Sequence, residues 1–269
     1  MTPKKKINPV IRAKQEQEQE QEQEQEQELE LELKSNGASK QMVPDLDLLR
    51  KNRIVAHLDD KNGNAMRVLR SQVLGKLTKN KMNTLAIVGS SPGIGKTTIA
   101  CNLALAISQD LNQTAMLIDL DLRKPRVGNC LGIVNKLGVA DHLAKDIDFS
   151  DILIESGFDG LVVAPGKPYS NASKLLESHK LEKLLLDAKQ HSPNRIVIVD
   201  LPPVLVVADY LAALPHVDAV LLVLAEGETS RSEVTELKRA MENTPVVGAV
   251  INKSTTVTKS KYYSEYYGS

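Results

Sequence analysis

The residues best equipped for chemistry lie in one run, Gly89-Ser90-Ser91-Pro92-Gly93-Ile94-Gly95-Lys96-Thr97-Thr98. Glycines without a Cβ let successive backbone N–H groups turn inward around an anion, and a helix opening directly behind the loop adds the positive end of its dipole. Lys96 then supplies a cation for β and γ phosphates, and the Thr97 hydroxyl an oxygen ligand for Mg2+. The run predicts a loop that cradles a nucleoside triphosphate, ATP, with its Mg2+. One position departs from the eight-residue pattern: its first glycine is Ser90, and Gly89 stands one place early.

Two acidic motifs go with the loop. Met116-Leu117-Ile118-Asp119-Leu120-Asp121-Leu122-Arg123 ends an apolar run with two acids and a base, and Val197-Ile198-Val199-Asp200-Leu201-Pro202-Pro203 ends another with one acid. A strand-end aspartate is the usual partner of the loop hydroxyl around Mg2+. Asp119 and Asp121 are two apart, so an extended segment points them the same way, one able to serve the metal and the other the nucleophile. The bland alternative for Asp121 is a turn acid paired with Arg123. A third group stands apart: four of the six tyrosines, Tyr262, Tyr263, Tyr266 and Tyr267, fall in the last eight residues. A polar tail has no packing reason to carry four phenols. They read as phosphate acceptors or as a partner-binding surface.

Elements that must position these groups follow from the apolar pattern. Runs at 84–89, 115–118, 161–164, 196–199, 219–224 and 246–251 are short, continuous and aliphatic, and alternate with helical stretches at 96–108 and 174–190. Strands buried on both faces read this way. The expected fold is α/β, a parallel β-sheet flanked by helices on both faces, with ligands at the carboxyl ends of its strands. Residues 46–254 form the expected domain. Before it, residues 1–45 include a strict Gln/Glu alternation from Gln15 to Glu28 that suits neither helix nor strand and is expected to be disordered. After it, 255–269 is expected to be a flexible tail.

Composition bounds the rest. Hydrophobic residues make up 42% of the 269, with no Trp and two Phe, so the core is aliphatic. Lys plus Arg and Asp plus Glu are 34 each, a balance that gives nucleic acid no claim as partner. Cys101 and Cys130 are too few for a disulfide framework or metal cluster and read as core residues of a reducing cytosol. No run approaches the roughly 18–20 apolar residues that span a bilayer, and no apolar stretch follows Lys4–Lys6 as in a secretory signal. A cytoplasmic location is expected, with membrane contact through a partner.

Together the motifs resemble the bacterial tyrosine kinases of polysaccharide export, P-loop proteins related to partitioning and cell-division ATPases. The resemblance covers about Arg67 onward and rests on Pro92–Thr97, on the Asp-x-Asp-x-Arg of Asp119–Arg123, on the Asp-x-Pro-Pro of Asp200–Pro203, and on the tyrosine cluster. It implies that Ser91, Pro92, Gly93, Ile94, Gly95, Lys96, Thr97 and Thr98, with Arg123, bind nucleotide. It assigns Mg2+ to Thr97, Asp119 and Asp200, proton removal from the acceptor phenol to Asp121, and an adenine-reading role to Asn252. It implies autophosphorylation in trans within a homo-oligomer, a separate inner-membrane polysaccharide co-polymerase as activator, and a phosphotyrosine phosphatase as antagonist. The family's Glu-x-x-Arg-x-x-Arg assembly helix corresponds to Asn64–Arg70, which keeps Arg67 and Arg70 but has Asn64 for the glutamate. The alternative is a partitioning-type ATPase switch without kinase activity. Such switches carry a signature lysine where this loop has Ser91. A scaffold that uses its tails for binding is a further rival, opposed by the intact Lys96, Asp119, Asp121 and Asp200.

Overall fold

The computed structural model describes residues 43–145, 147–190 and 194–254; the Gln/Glu repeat and the tyrosine cluster lie outside the described residues. Two helices come first, α1 (Leu46–Lys51) and α2 (Lys61–Lys79). Each is started by an aspartate, Asp45 or Asp60, whose carboxylate accepts hydrogen bonds from the first free N–H groups of the helix. Then follow β1 (Thr84–Val88), α3 (Lys96–Ser108), β2 (Thr114–Asp119), α4 (Val127–Leu131), α5 (Val139–Ala144), β3 (Ile154–Glu155), β4 (Leu161–Ala164), α6 (Ala172–Leu176), α7 (His179–Gln190), β5 (Arg195–Asp200), α8 (Tyr210–Ala213), β6 (Ala219–Ala225), α9 (Arg231–Ala240) and β7 (Val246–Asn252).

The strands form one sheet in the order β3-β4-β2-β5-β1-β6-β7. All neighbours are parallel except β3, a two-residue antiparallel edge strand that the apolar pattern did not suggest. The helix expected over 174–190 is instead two helices. The Ser178 hydroxyl donates to Leu175 O at 2.6 Å, a local bond that competes with continuing the helix.

Core side chains sort by strand alternation into two layers. Leu85, Ile87, Leu117, Ile198 and Leu221 pack under α1–α4, while Ala86, Met116, Ile118, Val197 and Leu222 pack under α5–α7 and α9. The helix behind the loop, α3, is buried at eleven of its thirteen positions. Asn102 on it is a polar exception with full employment. Its Oδ1 accepts from Val55 and Ala56 N–H (2.7 and 3.0 Å), and its Nδ2 donates to Arg53 O and Thr98 O (2.9 and 2.8 Å). That fixes the chain between α1 and α2 onto α3. Arg70 on α2 donates to Ala106 O at 3.0 Å, and Arg67 to Leu58 O at 3.1 Å and Asp59 at 3.2 Å. Both arginines proposed for assembly thus have partners within their own chain. Among the described residues no helix is long and apolar enough to cross a membrane.

Candidate functional site

Sheet order places the motifs together. β5 lies between β1 and β2, with Asp200 registered against both Ile87 and Asp119. The loop after β1, Asp200 ending β5 and Asp119 ending β2 therefore share one stretch of the carboxyl edge. β1 is also where the connections diverge to either side, the position at which open α/β sheets bind ligands.

The loop needs its glycines. Gly93 and Gly95 hold φ of 79° and 99°, in the left-handed region that a side chain disfavours. A Cβ on Gly95 would come within 2.0 Å of the Asn252 amide nitrogen. Gly89 accounts for the displaced first glycine: a Cβ there would stand 2.3 Å from Ile94 Cδ1 and 2.9 Å from Val223 O, whereas Ser90 is accommodated fully buried. Val204 and Leu205 N–H groups donate to Gly89 O and Ser90 O (3.0 and 3.2 Å), stitching the loop to the segment after Asp200.

At the head of α3, Lys96 Nζ donates to Ser91 O at 3.1 Å and Thr97 Oγ1 donates to Asp200 Oδ2 at 2.6 Å. Burial lowers the Lys96 pKa, with Asp200 and Asp121 pulling it back up. The other Asp200 oxygen, Oδ1, is buried without a hydrogen-bond partner. Burial, then the charge of Asp119, pushes the Asp200 carboxyl well above the usual carboxylate range. Asp119 is also fully buried, and this pushes its carboxyl up to about 7 against the pull of its backbone hydrogen bonds. Those bonds come from Asp121 N–H to Oδ1 (3.1 Å) and from Arg126 and Val127 N–H to Oδ2 (2.9 and 3.0 Å).

Two buried carboxylates side by side, Asp200 with an orphan oxygen and a loop hydroxyl on its other oxygen and Asp119 held by backbone N–H groups, suit a divalent cation. Among the described residues no cluster of three or more His, Cys, Asp or Glu forms a self-sufficient metal cage. Mg2+ keeps waters and takes phosphate oxygens in place of protein ligands, so one or two carboxylates are enough to bind it. Thr97, Asp200 and Asp119 are the residues able to hold it. It would neutralise charge on the phosphates. Lys96, now resting on a backbone carbonyl, has a flexible ammonium free to exchange that contact for a phosphate oxygen.

Not every candidate sits where the motifs suggest. Asp121 is half-buried and accepts from Lys124 N–H at 3.1 Å, the geometry of a turn acid facing the same edge. Arg123 is turned to Asp209 instead, with Nε and Nη2 donating to its two oxygens at 2.7 and 3.1 Å. This fork holds the Asp209 carboxyl below the usual range. Ser173 joins both, donating to Asp209 at 2.8 Å and accepting from Arg123 at 2.9 Å. Asn252 donates to Ile94 O at 2.8 Å, bracing the loop from the end of β7. Pro92 is exposed at the loop's tip, and Thr98 is half-buried, its carbonyl taken by Asn102.

Three residues at this edge were missed by the motif reading. Glu233 completes a capping box with Ser230 at the start of α9, and its other oxygen accepts from Ser91 Oγ at 2.9 Å. Ser230 N–H and then the Ser91 hydroxyl hold its carboxyl at about 2. The Ser-x-x-Glu spacing marks a helix start in sequence but not its contact with the loop. Asp209 gave no signal beyond its charge. Gly166 follows β4, and a Cβ there would stand 2.9 Å from Asp119 Cγ. A glycine just past a strand end was the available hint.

A P-loop at the divergence point of a mostly parallel sheet, with strand-end acids beside it, defines a nucleotide-binding protein of the P-loop class. A family model described as an AAA domain matches residues 82–250. Tyrosine-protein kinase YwqD of Bacillus subtilis is 30% identical over 232 residues, covering 82% of this chain and 96% of the relative. Tyrosine-protein kinase etk of Escherichia coli is 31% identical over 191 residues, and there this chain spans 26% of the longer relative. The solved kinase domain of Escherichia coli ETK superposes with a TM-score of 0.66 at 30% identity, over 74% of this chain and 79% of that one. MinD of Pyrococcus horikoshii, solved with Mg-ADP, shares the fold at 18% identity, with a TM-score of 0.56 over 68% of this chain and 76% of that one. The chain belongs to the bacterial tyrosine-protein kinase family.

Proposed function

We propose that this chain passes the γ-phosphoryl group of Mg–ATP to its own C-terminal cluster, Tyr262, Tyr263, Tyr266 and Tyr267, one copy serving another within an oligomer. The observation that carries it is the alignment of Lys96, Thr97, Asp200 and Asp119 on one edge, with Asp121 beside them. A phenol with pKa near 10 is about one part in a thousand ionised at pH 7, a deficit of roughly 4 kcal/mol. A carboxylate within reach removes that deficit by taking the proton as the new P–O bond forms and the bond to the ADP oxygen breaks. Asp121 holds that role. Lys96 and the loop amides draw charge off the phosphates, and Thr97, Asp119 and Asp200 would hold Mg2+, which would supply further positive charge there. Arg123 acts through Asp209 to hold the Asp121 loop, and Asn252 serves the adenine edge while bracing Ile94.

Four phosphates would add roughly −6 to −8 charges to the tail, expelling it from an acidic, phosphate-filled site and loosening the oligomer. A separate inner-membrane co-polymerase as activator, a phosphatase as antagonist, and control of exopolysaccharide or capsule export complete the reading. Arg67 and Arg70 would meet a neighbouring copy by exchanging their present internal partners.

The test is incubation with labelled Mg–ATP, alone and with a candidate membrane partner, followed by mass-spectrometric mapping. Label on Tyr262–Tyr267 that is lost in Lys96→Met supports the reading. ATP turnover without phosphotyrosine favours the partitioning-type switch and overturns it. An unchanged light-scattering mass after full phosphorylation would refute the loosening step.

A further inference from the structure

Side chains and amides from other segments support the phosphate-cradling loop along its length. Gly89 O and Ser90 O take the Val204 and Leu205 N–H groups, and Ile94 O takes the Asn252 amide. Between these two supports, Pro92 and Gly93 are exposed, and a Cβ on Gly93 would meet nothing within 4 Å. The tie in that stretch is the Ser91 hydroxyl, which donates to Glu233 Oε1 at 2.9 Å. Glu233 stands on a firm base. Its helix, α9, is rooted by Leu237, which is buried with Met241 in the core layer beneath it. The turn leading into α9 is closed by Glu228 and Thr229 N–H groups on Ala225 O (3.1 and 2.9 Å), and by Ala225 N–H on Thr229 Oγ1 (2.9 Å).

The contact uses both oxygens of a carboxylate. Glu233 Oε2 accepts from Ser230 N–H at 2.8 Å while Oε1 accepts from Ser91. A serine hydroxyl has one proton to give. Spent on Glu233, it is not available to a phosphate oxygen, so the Ser91 side chain serves as an anchor and the cradle is left to backbone N–H groups. Ser91 also faces the chemistry, because its carbonyl accepts from Lys96 Nζ at 3.1 Å. When Lys96 leaves that carbonyl for a phosphate oxygen, Ser91 loses one of its two partners at the moment the loop has to keep its shape. Glu233 is the partner that stays.

We propose that Glu233 is a positioning residue of the nucleotide site: through Ser91 it holds the exposed shoulder of the loop in its cradle shape while Lys96 exchanges a backbone carbonyl for phosphate. The proposal rests on the reading of this loop as a nucleotide site. Glu233 acts only through Ser91. Its helix-starting role with Ser230 is separate, since Ser91→Ala removes the tie and leaves the capping box intact.

That separation gives the experiment. A fluorescent ADP with Mg2+ is titrated into the full chain, with urea melts and hydrogen exchange of residues 89–97 measured without nucleotide. Ser91→Ala and Glu233→Ala should each raise the dissociation constant about five-fold and speed exchange of the loop amides. The double variant should bind about as well as either single one, because both remove the same contact. Glu233→Gln should stay within about two-fold of wild type: its amide oxygen can accept from Ser230 N–H while its NH2 donates to Ser91 Oγ. Ser230→Ala should lower the urea midpoint through the lost cap without changing affinity. Ser91→Ala with wild-type affinity, additive losses in the double variant, Glu233→Gln as weak as Glu233→Ala, or Ser230→Ala as weak as either would each overturn the proposal. Wild type that binds no Mg–ADP would instead overturn the nucleotide reading and the positioning claim with it, and loop exchange would still decide whether the tie exists.

Discussion

Replacing Asp200 with asparagine should stabilise the protein while disabling it. Asp200 is buried, its Oδ1 has no hydrogen-bond partner, and Asp119 stands in register on the next strand. Burial and that neighbour raise its pKa well above the ordinary carboxylate value. A carboxyl whose folded pKa exceeds its unfolded one binds its proton more tightly when folded. The stability it contributes is complete below the unfolded pKa, near 4, and is lost as pH rises through the folded value. Wild-type protein free of divalent cations should therefore lose stability as pH rises from about 4 through the raised folded pKa of Asp200. Asp200→Asn keeps the shape, can still accept from Thr97 Oγ1, and removes the group responsible for the larger part of that loss. Each pKa unit by which the folded carboxyl is raised is worth about 1.4 kcal/mol. For a domain of this size that is roughly 3–6 °C in Tm. Differential scanning fluorimetry at pH 5 and pH 8 in EDTA reads it directly: the variant should melt higher at pH 8, with the gap shrinking at pH 5. With Mg–ADP at a hundred times its dissociation constant, wild type should gain about 2.7 kcal/mol, and Asp200→Asn little. A variant that melts lower than wild type at pH 8 in EDTA, or a gap that does not shrink on acidification, would refute the reasoning.

Other substitutions test neighbouring supports. Gly166→Ala places a Cβ 2.6 Å from Pro125 Cβ and 2.9 Å from Asp119 Cγ; overpacking of about 1–3 kcal/mol should appear in calorimetry, with Mg–nucleotide affinity by titration falling about tenfold. Arg123→Ala leaves Asp209 with Ser173 alone and should cost about 2–3 kcal/mol in urea melts. Arg123→Lys should recover less than half of that, because a point charge cannot replace the two-pronged contact. Asn102→Ala strips three hydrogen bonds from the junction of α3 with residues 53–56 and a fourth within α3. It should lower Tm by roughly 4–12 °C and speed hydrogen exchange at Val55 and Ala56, measured by NMR.

Much of the fold was legible because burial on both faces leaves a continuous aliphatic run. All six parallel strands and α3 announce themselves this way, and strand-end acids fall at the carboxyl edge by geometry alone. β3 was invisible because two residues carry no period. The break between α6 and α7 hides in a serine whose hydroxyl prefers a local carbonyl. The site was legible where it is local. Gly93, Gly95, Lys96 and Thr97 are adjacent in sequence, whereas the Ser91–Glu233 bond spans 142 residues and the Arg123–Asp209 pair 86. Such contacts depend on how strands are ordered, which no short motif encodes. Asn252 illustrates the same limit. Its place at a strand end was readable, but its donation to Ile94 O was not.

The near-complete burial of α3 constrains how this scaffold can be specialised. A helix that touches neighbours on every side has no free face to decorate, and Ala100, Ala104 and Ala106 leave no room for larger side chains. Inherited variation is confined there to swaps of similar volume. New selectivity for an acceptor, a partner or a signal has to be written into the surrounding connections. The segments after β2, β5 and β6 are those pages, and the helix is the binding that keeps them in order.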